Sequence, residues 1–138
     1  MVVTKKISLH TKGNSAIIDI TPQVQQQIAE ADINNGTVTI FIAGSTAGVT
    51  TIEFESGVLS DLQNTWERLV PVNIPYSHDR RWGDGNGHSH VRASLLGASL
   101  VVPFSNKRLI LGTWQQIVMI DFDNRARSRQ IALQIMGE

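Results

Sequence analysis

His78, His88 and His90 are three of the four histidines in the chain, and Asp79 and Asp84 lie among them. Imidazole nitrogens and carboxylate oxygens are ordinary donors to zinc and other divalent cations, so this stretch is the first place to look for a metal. On an extended backbone His88 and His90, two residues apart, point to one side. Gly83, Gly85 and Gly87 give the chain freedom to bring His78 back towards them. The same side chains suit a second chemistry, because an imidazole with an ordinary pKa of about 6.5 can move protons near neutral pH. Histidines that only stabilise a loop by hydrogen bonding have the same spacing.

Three further groups of residues bear on function. Ser89 to Leu96 reads as a short helix capped by Ser89 and closed by Gly97, and its N-terminus beside Arg92 and Ser94 can take a phosphate or carboxylate. Ordinary capping with a solvated Arg92 is the plainer reading. Glu53 and Glu55 follow a strand and can act as acid and base, or as ligands to a hard metal, although exposed glutamates at strand ends are common. Thr113, Trp114 and Gln115 interrupt two apolar strands, and polar and aromatic side chains at such a junction suit a ligand pocket. Gly83-Asp84-Gly85-Asn86-Gly87 lacks the Lys-Ser/Thr ending of a phosphate loop, and there is no dinucleotide fingerprint or nucleophile elbow.

The elements that must hold these residues follow from periodicity. Val2 to His10 alternates and predicts a strand, and Ala16 to Ile20 predicts its hairpin partner across the Lys12-Gly13-Asn14 turn. Thr21-Pro22 starts a helix, with Thr21 as N-cap, whose stripe is Val24, Ile28 and Ala31. Thr37 to Ile42 and Val49 to Phe54 are strands. Leu59, Leu62, Trp66 and Leu69 mark a second helix that stops at Pro71. Asn73 to Ser89 predicts a long irregular loop, a kind of segment that is often functional. Ser99 to Phe104, Arg108 to Leu111 and a last strand with Ile131, Leu133 and Ile135 complete a β-rich second half. Ile117 to Phe122 is apolar at all but Asp121 and predicts a central strand buried on both faces. About seven or eight strands with two or three helices, without regular βαβ alternation, make an α+β fold in one domain spanning residues 1–138.

Composition narrows the class. The 138 residues are 41% hydrophobic and 17% charged, with twelve basic and twelve acidic side chains and no cysteine. A zero formal charge gives no global field for nucleic acid or an anionic membrane, so neither is an expected partner. The alternating Arg125, Arg127 and Arg129 read as a solvated strand face. No stretch approaches the roughly 18 apolar residues of a membrane span. Lack of cysteine fits the cytoplasm, which is the expected location.

Three segments resemble successive signatures of the YjbQ-like family: Gly44 to Thr50 (GSTAGVT), Asp84 to Gly97 (DGNGHSHVRASLLG) and Leu111 to Gln115 (LGTWQ). The terminal Gly137-Glu138 also matches, and the similarity keeps its order over nearly the whole chain. The resemblance implies an α+β domain with a β-sandwich core, assembled as a homotrimer, with histidines in a pocket that can hold a metal. It also implies a weak, secondary thiamine-phosphate synthase activity that joins a pyrimidine pyrophosphate to a thiazole phosphate. His78, His90, Asp84, Glu53 and the Thr113-Trp114-Gln115 run match family positions. Many members carry a histidine where this chain has Gly44, and often a proline where it has His88; either His88 is a replacement ligand, or the change at 44 alters or abolishes the activity.

The combined expectation is a trimer that acts on a phosphorylated small molecule. A divalent metal, zinc first, is held by His78, His88 and His90. Glu53 or Asp84 handles protons or completes the metal shell, while Arg92 and Ser94 take the phosphate and Thr113, Trp114 and Gln115 line the pocket. The competing readings are a non-catalytic ligand-binding or structural trimer and a metal-assisted hydrolase.

Overall fold

The computed structural model describes residues 1–138 and has eight strands in two antiparallel sheets with four helices, an α+β architecture. β1 (Val2–Thr11), β3 (Gly36–Ile42), β5 (Ser99–Ser105), β6 (Arg108–Leu109) and β8 (Arg127–Gly137) form the larger sheet, in the order β1-β8-β3-β5-β6. β2 (Ala16–Asp19), β4 (Ala47–Ile52) and β7 (Gln116–Asp121) form the smaller one, with β7 in the middle.

Alternation decides what faces what. Val38, Ile40, Ile42, Ile131, Leu133 and Ile135 point inwards from the larger sheet and pack on Val49, Ile117 and Met119 of the smaller one. Helix α1 (Thr21–Glu30) closes this core with Val24 and Ile28, both fully buried. On the far side of the smaller sheet, Val118, Ile120 and Phe122 meet Trp66 of α2 (Ser56–Leu69) and Ala93 of α4 (Gly87–Leu96). Trp66 sits edge-on to Phe122, with ring centroids 5.1 Å apart. β7 is therefore buried on both faces, as the apolar run Ile117–Ile120 predicts.

Three local expectations are corrected. β1 and β2 form no hairpin: β1 pairs with β8 and β2 with β7, so residues 12–15 carry the chain from one sheet to the other. That turn is fixed by Asn14 N–H and Ser15 N–H donating to the carbonyls of Asp123 and Asp121. Thr21 is not the cap of α1; Ile20 holds the cap position, while Asp19 accepts the Thr21 amide and Thr21 Oγ1 accepts the Ile117 amide.

The arginines of β8 are not a solvated face. Arg129 is buried and grips Asp121 with two hydrogen bonds of 2.8 Å, and Arg127 binds Asp123 at 2.8 Å. Burial would raise the pKa of both aspartates. For Asp121 the hydrogen bonds from Arg129, Thr11 and the Asp123 amide outweigh it and hold the group below its ordinary range. Asp123 is likewise lowered by the Asn124 amide, Asn86, Arg127 and Thr46. Two ionised carboxylates thus stand, fully paired, just below the histidine-rich segment.

Candidate functional site

Nine of the seventeen residues from 73 to 89 are helical, which corrects in part the expected irregular loop. α3 (Ser77–Trp82) runs from Tyr76 to a left-handed Gly83, and α4 begins at Gly87, two residues before Ser89. The helix start is set from outside: Asp79 of α3 accepts the Gly87 amide at 2.8 Å, and Ser89 instead donates its hydroxyl to the Phe122 carbonyl. A Cβ at Gly87 would stand 2.5 Å from Cβ of Tyr76, so only glycine lets α4 come this close.

The helix rearranges the histidines. In an α-helix two residues subtend about 200°, so His88 and His90 face nearly opposite ways rather than together. His90 turns to His78, with ring centroids 4.5 Å apart. His88 turns inwards, is 4% exposed, and lies beside Tyr76 with 6.3 Å between rings. Its Nε2 is 3.3 Å from Ser89 Oγ, while its buried Nδ1 has no partner. Burial first, and then the nearby Arg92 charge, lower its pKa, so it stays neutral at pH 7. The trio His78, His88 and His90 is not gathered on one point, and no three side chains of the His, Cys, Asp and Glu types converge as a metal cluster.

A different group does converge. His78 Nε2 is 3.1 Å from Asp84 Oδ1 and 2.9 Å from Asn86 Oδ1. The same amide oxygen is 3.1 and 3.2 Å from the two oxygens of Asp84. With Nε2 unprotonated, every atom facing this point is an acceptor. Acceptors repel one another unless a proton or a cation lies between them, and ligands on bonds of about 2.1 Å stand near 3 Å apart around one ion. The reversed amide would donate to Asp84 and His78. It would also turn its oxygen on Asp123, which now accepts Asn86 Nδ2 at 3.3 Å in a site closed to water.

Beside this cluster lies a cavity of about 420 Å³, lined by His90 and Ser94 from one wall and Gly44, Ser45 and Ala47 from the other. Arg92 does not reach it. Its guanidinium is buried and donates to the Val70 carbonyl, Ser15 Oγ and Glu67, which pins α4 to the end of α2 and leaves the expected phosphate contact without this residue. Thr113 and Trp114 line a separate cavity of about 490 Å³ with Glu53 and Asp19, and Gln115 adjoins them in a shallow depression. These share no lining residue with the His90 cavity, so the single pocket expected from sequence is two.

The sequence of this chain matches the description "UPF0047 protein YjbQ-like" over residues 5–138. The chain belongs to the YjbQ-like family. A UPF0047 protein of Methanothermobacter thermautotrophicus is 37% identical over 137 residues, covering 99% of this chain and 94% of that protein. A UPF0047 protein of Archaeoglobus fulgidus is 37% identical over 131 residues, covering 95% of this chain and 99% of that one. The crystal structure of a YbjQ-like protein of unknown function from Sulfolobus solfataricus P2 superposes with a TM-score of 0.90 at 30% identity, covering all of both chains.

As a YjbQ-like chain it still departs from the expected pattern at Gly44. This residue has φ +136°, where a side chain is strained, and a Cβ would meet Arg129 Nη1 at 2.7 Å. Gly44 lines the His90 cavity and His88 does not. Asn86 is the residue that sequence reading missed. Attention to histidine and aspartate spacing passes over an amide oxygen, although Asp84 and Asn86, two apart in a glycine-rich run, were the available signal. No helix is long and apolar enough to cross a membrane.

Proposed function

We propose that this YjbQ-like protein holds a divalent metal on His78, Asp84 and Asn86 and uses it on a phosphorylated small molecule bound in the adjoining His90–Ser94 cavity. The observation that carries this reading is the convergence of His78 Nε2, the Asp84 carboxylate and one end of the Asn86 amide within 2.9–3.2 Å of one another, with Asp123 at the other end of that amide. One imidazole with two oxygen donors suits zinc, and the Irving–Williams order ranks zinc above manganese at such a site. When bound, the metal supplies a Lewis acid that polarises a phosphoryl or carbonyl oxygen. His90, tilted against His78, is the nearest imidazole for proton transfer, and the Ser94 and Ser45 side of the cavity receives the ligand.

The specific reaction in this reading is slow, thiamine-phosphate-synthase-type condensation. Glu53, Thr113, Trp114 and Gln115 belong to the second cleft and are assigned no part in the metal site. The assembly is proposed to be a homotrimer, because edge strands and apolar faces are covered most simply in a closed symmetric oligomer.

Two measurements on protein purified without chelator or affinity tag test this. Elemental analysis is expected to give close to one zinc per chain in wild type and in His88→Ala, and a several-fold loss in Asp84→Ala. Zinc lost equally from His88→Ala would return the ligand to the original trio. Turnover of the pyrimidine pyrophosphate and thiazole phosphate is expected to be slow, zinc-dependent and lost in His90→Ala. A metal-loaded protein that releases phosphate from simple phosphate esters, and joins no precursors, would favour metal-assisted hydrolysis instead.

A further inference from the structure

Asn86 can serve a cation only with its oxygen, yet an amide is nearly symmetric in shape and can present either end. Nearby Asp84 favours the wrong end, since a carboxylate attracts the N–H₂ group. Something on the opposite side must therefore choose the orientation. That side is occupied by Asp123, the buried carboxylate 3.3 Å from Asn86 Nδ2. Asp123 is itself held from several directions: Oδ1 accepts the Asn124 amide at 2.8 Å, and Oδ2 accepts Arg127 Nε at 2.8 Å and Thr46 Oγ1 at 3.1 Å. It cannot easily swing away, and as an ionised carboxylate it offers no donor to an amide oxygen.

We infer that Asp123, fixed by Arg127 and Thr46, is a positioning residue that holds the Asn86 amide with its nitrogen inward and its oxygen towards the cation. This rests on the metal reading above and assigns Asp123 no contact with metal or ligand. It gives the buried charge pair at the end of β7 a function beyond packing. Partners that orient ligands in this way typically change metal affinity by about 10–100-fold when altered.

The test is a double-substitution cycle read by zinc affinity, from chelator competition, and by the visible spectrum of the cobalt form. Asp123→Asn offers Asn86 either a donor or an acceptor, so the selection is lost; zinc affinity is expected to fall about 10-fold or more and the cobalt bands to shift. Asn86→Asp keeps an oxygen for the cation but sets like charges together, and there Asp123→Asn supplies a donor and removes the repulsion. In that background the same substitution is expected to raise affinity. A purely structural Asp123 would move affinity the same way in both backgrounds, or in neither, and either result overturns the inference. Thermal melts of the metal-free proteins monitor folding. If Asp123→Asn does not fold, Asp123→Glu retains the charge while displacing the oxygen, and is expected to weaken zinc about 10-fold; unchanged affinity overturns the inference. Wild type that binds neither zinc nor cobalt removes the metal reading itself, and this assignment with it.

Discussion

His88 illustrates how little a residue type says without its environment. By spacing it is one candidate metal ligand among other readings; by position it is a neutral imidazole packed near Tyr76 and Arg92. Its lowered pKa has a consequence for stability. Between the folded pKa and about 6.5, the unfolded chain takes up a proton that the folded protein refuses. The contribution is therefore complete above about pH 6.5 and is lost as pH falls below it. Chelator-treated protein, in which metal release plays no part, is expected to show a falling urea midpoint from pH 7 to pH 5, with a smaller fall in His88→Phe. Equal slopes in the two proteins would show that His88 does not titrate as its burial requires. Asn86 is the converse case, since its importance comes wholly from what stands around its amide.

At the scale of elements, the strands were legible because alternation is a local property. Val38, Ile40 and Ile42 mark their face of β3 unaided, and the apolar run of β7 announces burial on both sides. Pairing was not legible, because the partner of β1 lies at the far end of the chain and no local signal names it. The segment holding the site was misread for a related reason. Its glycines suggested an irregular loop, whereas α4 is started by Asp79 and admitted by Gly87, two contacts made only in three dimensions. Gly87→Ala is accordingly expected to cost about 1–3 kcal/mol, as overpacked positions do, because Tyr76 must yield by a large fraction of an ångström. It should also weaken zinc binding, since α3 and α4 would separate. Calorimetry and zinc titration of this variant check both, and an unaltered melting temperature would contradict the close approach.

At the scale of the molecule, the larger sheet has a second face that the core does not use. Its register brings Thr4, Gln134, Thr39 and Val101 into one row, with Val2, Met136, Thr37 and Pro103 on one side and Lys6, Ala132, Phe41 and Ser99 on the other. Lys6 is the one formal charge in these rows, and Val2, Phe41, Val101 and Met136 are each about half exposed. Such a surface is suited to a like surface on another copy. Sedimentation of wild type is expected to give three times the chain mass, and Phe41→Glu with Val101→Glu a smaller species. A monomeric wild type would remove the trimer, and a variant that stays trimeric would move the interface elsewhere. The cation remains the claim on which the function depends most. It is tested most directly by a crystal structure of untagged protein grown with zinc, with anomalous diffraction recorded at the zinc edge. The expected result is one strong peak about 2.0–2.2 Å from His78 Nε2, an Asp84 oxygen and Asn86 Oδ1. A peak on His88, or no peak near Asn86 with its amide nitrogen turned to Asp84, would contradict the account.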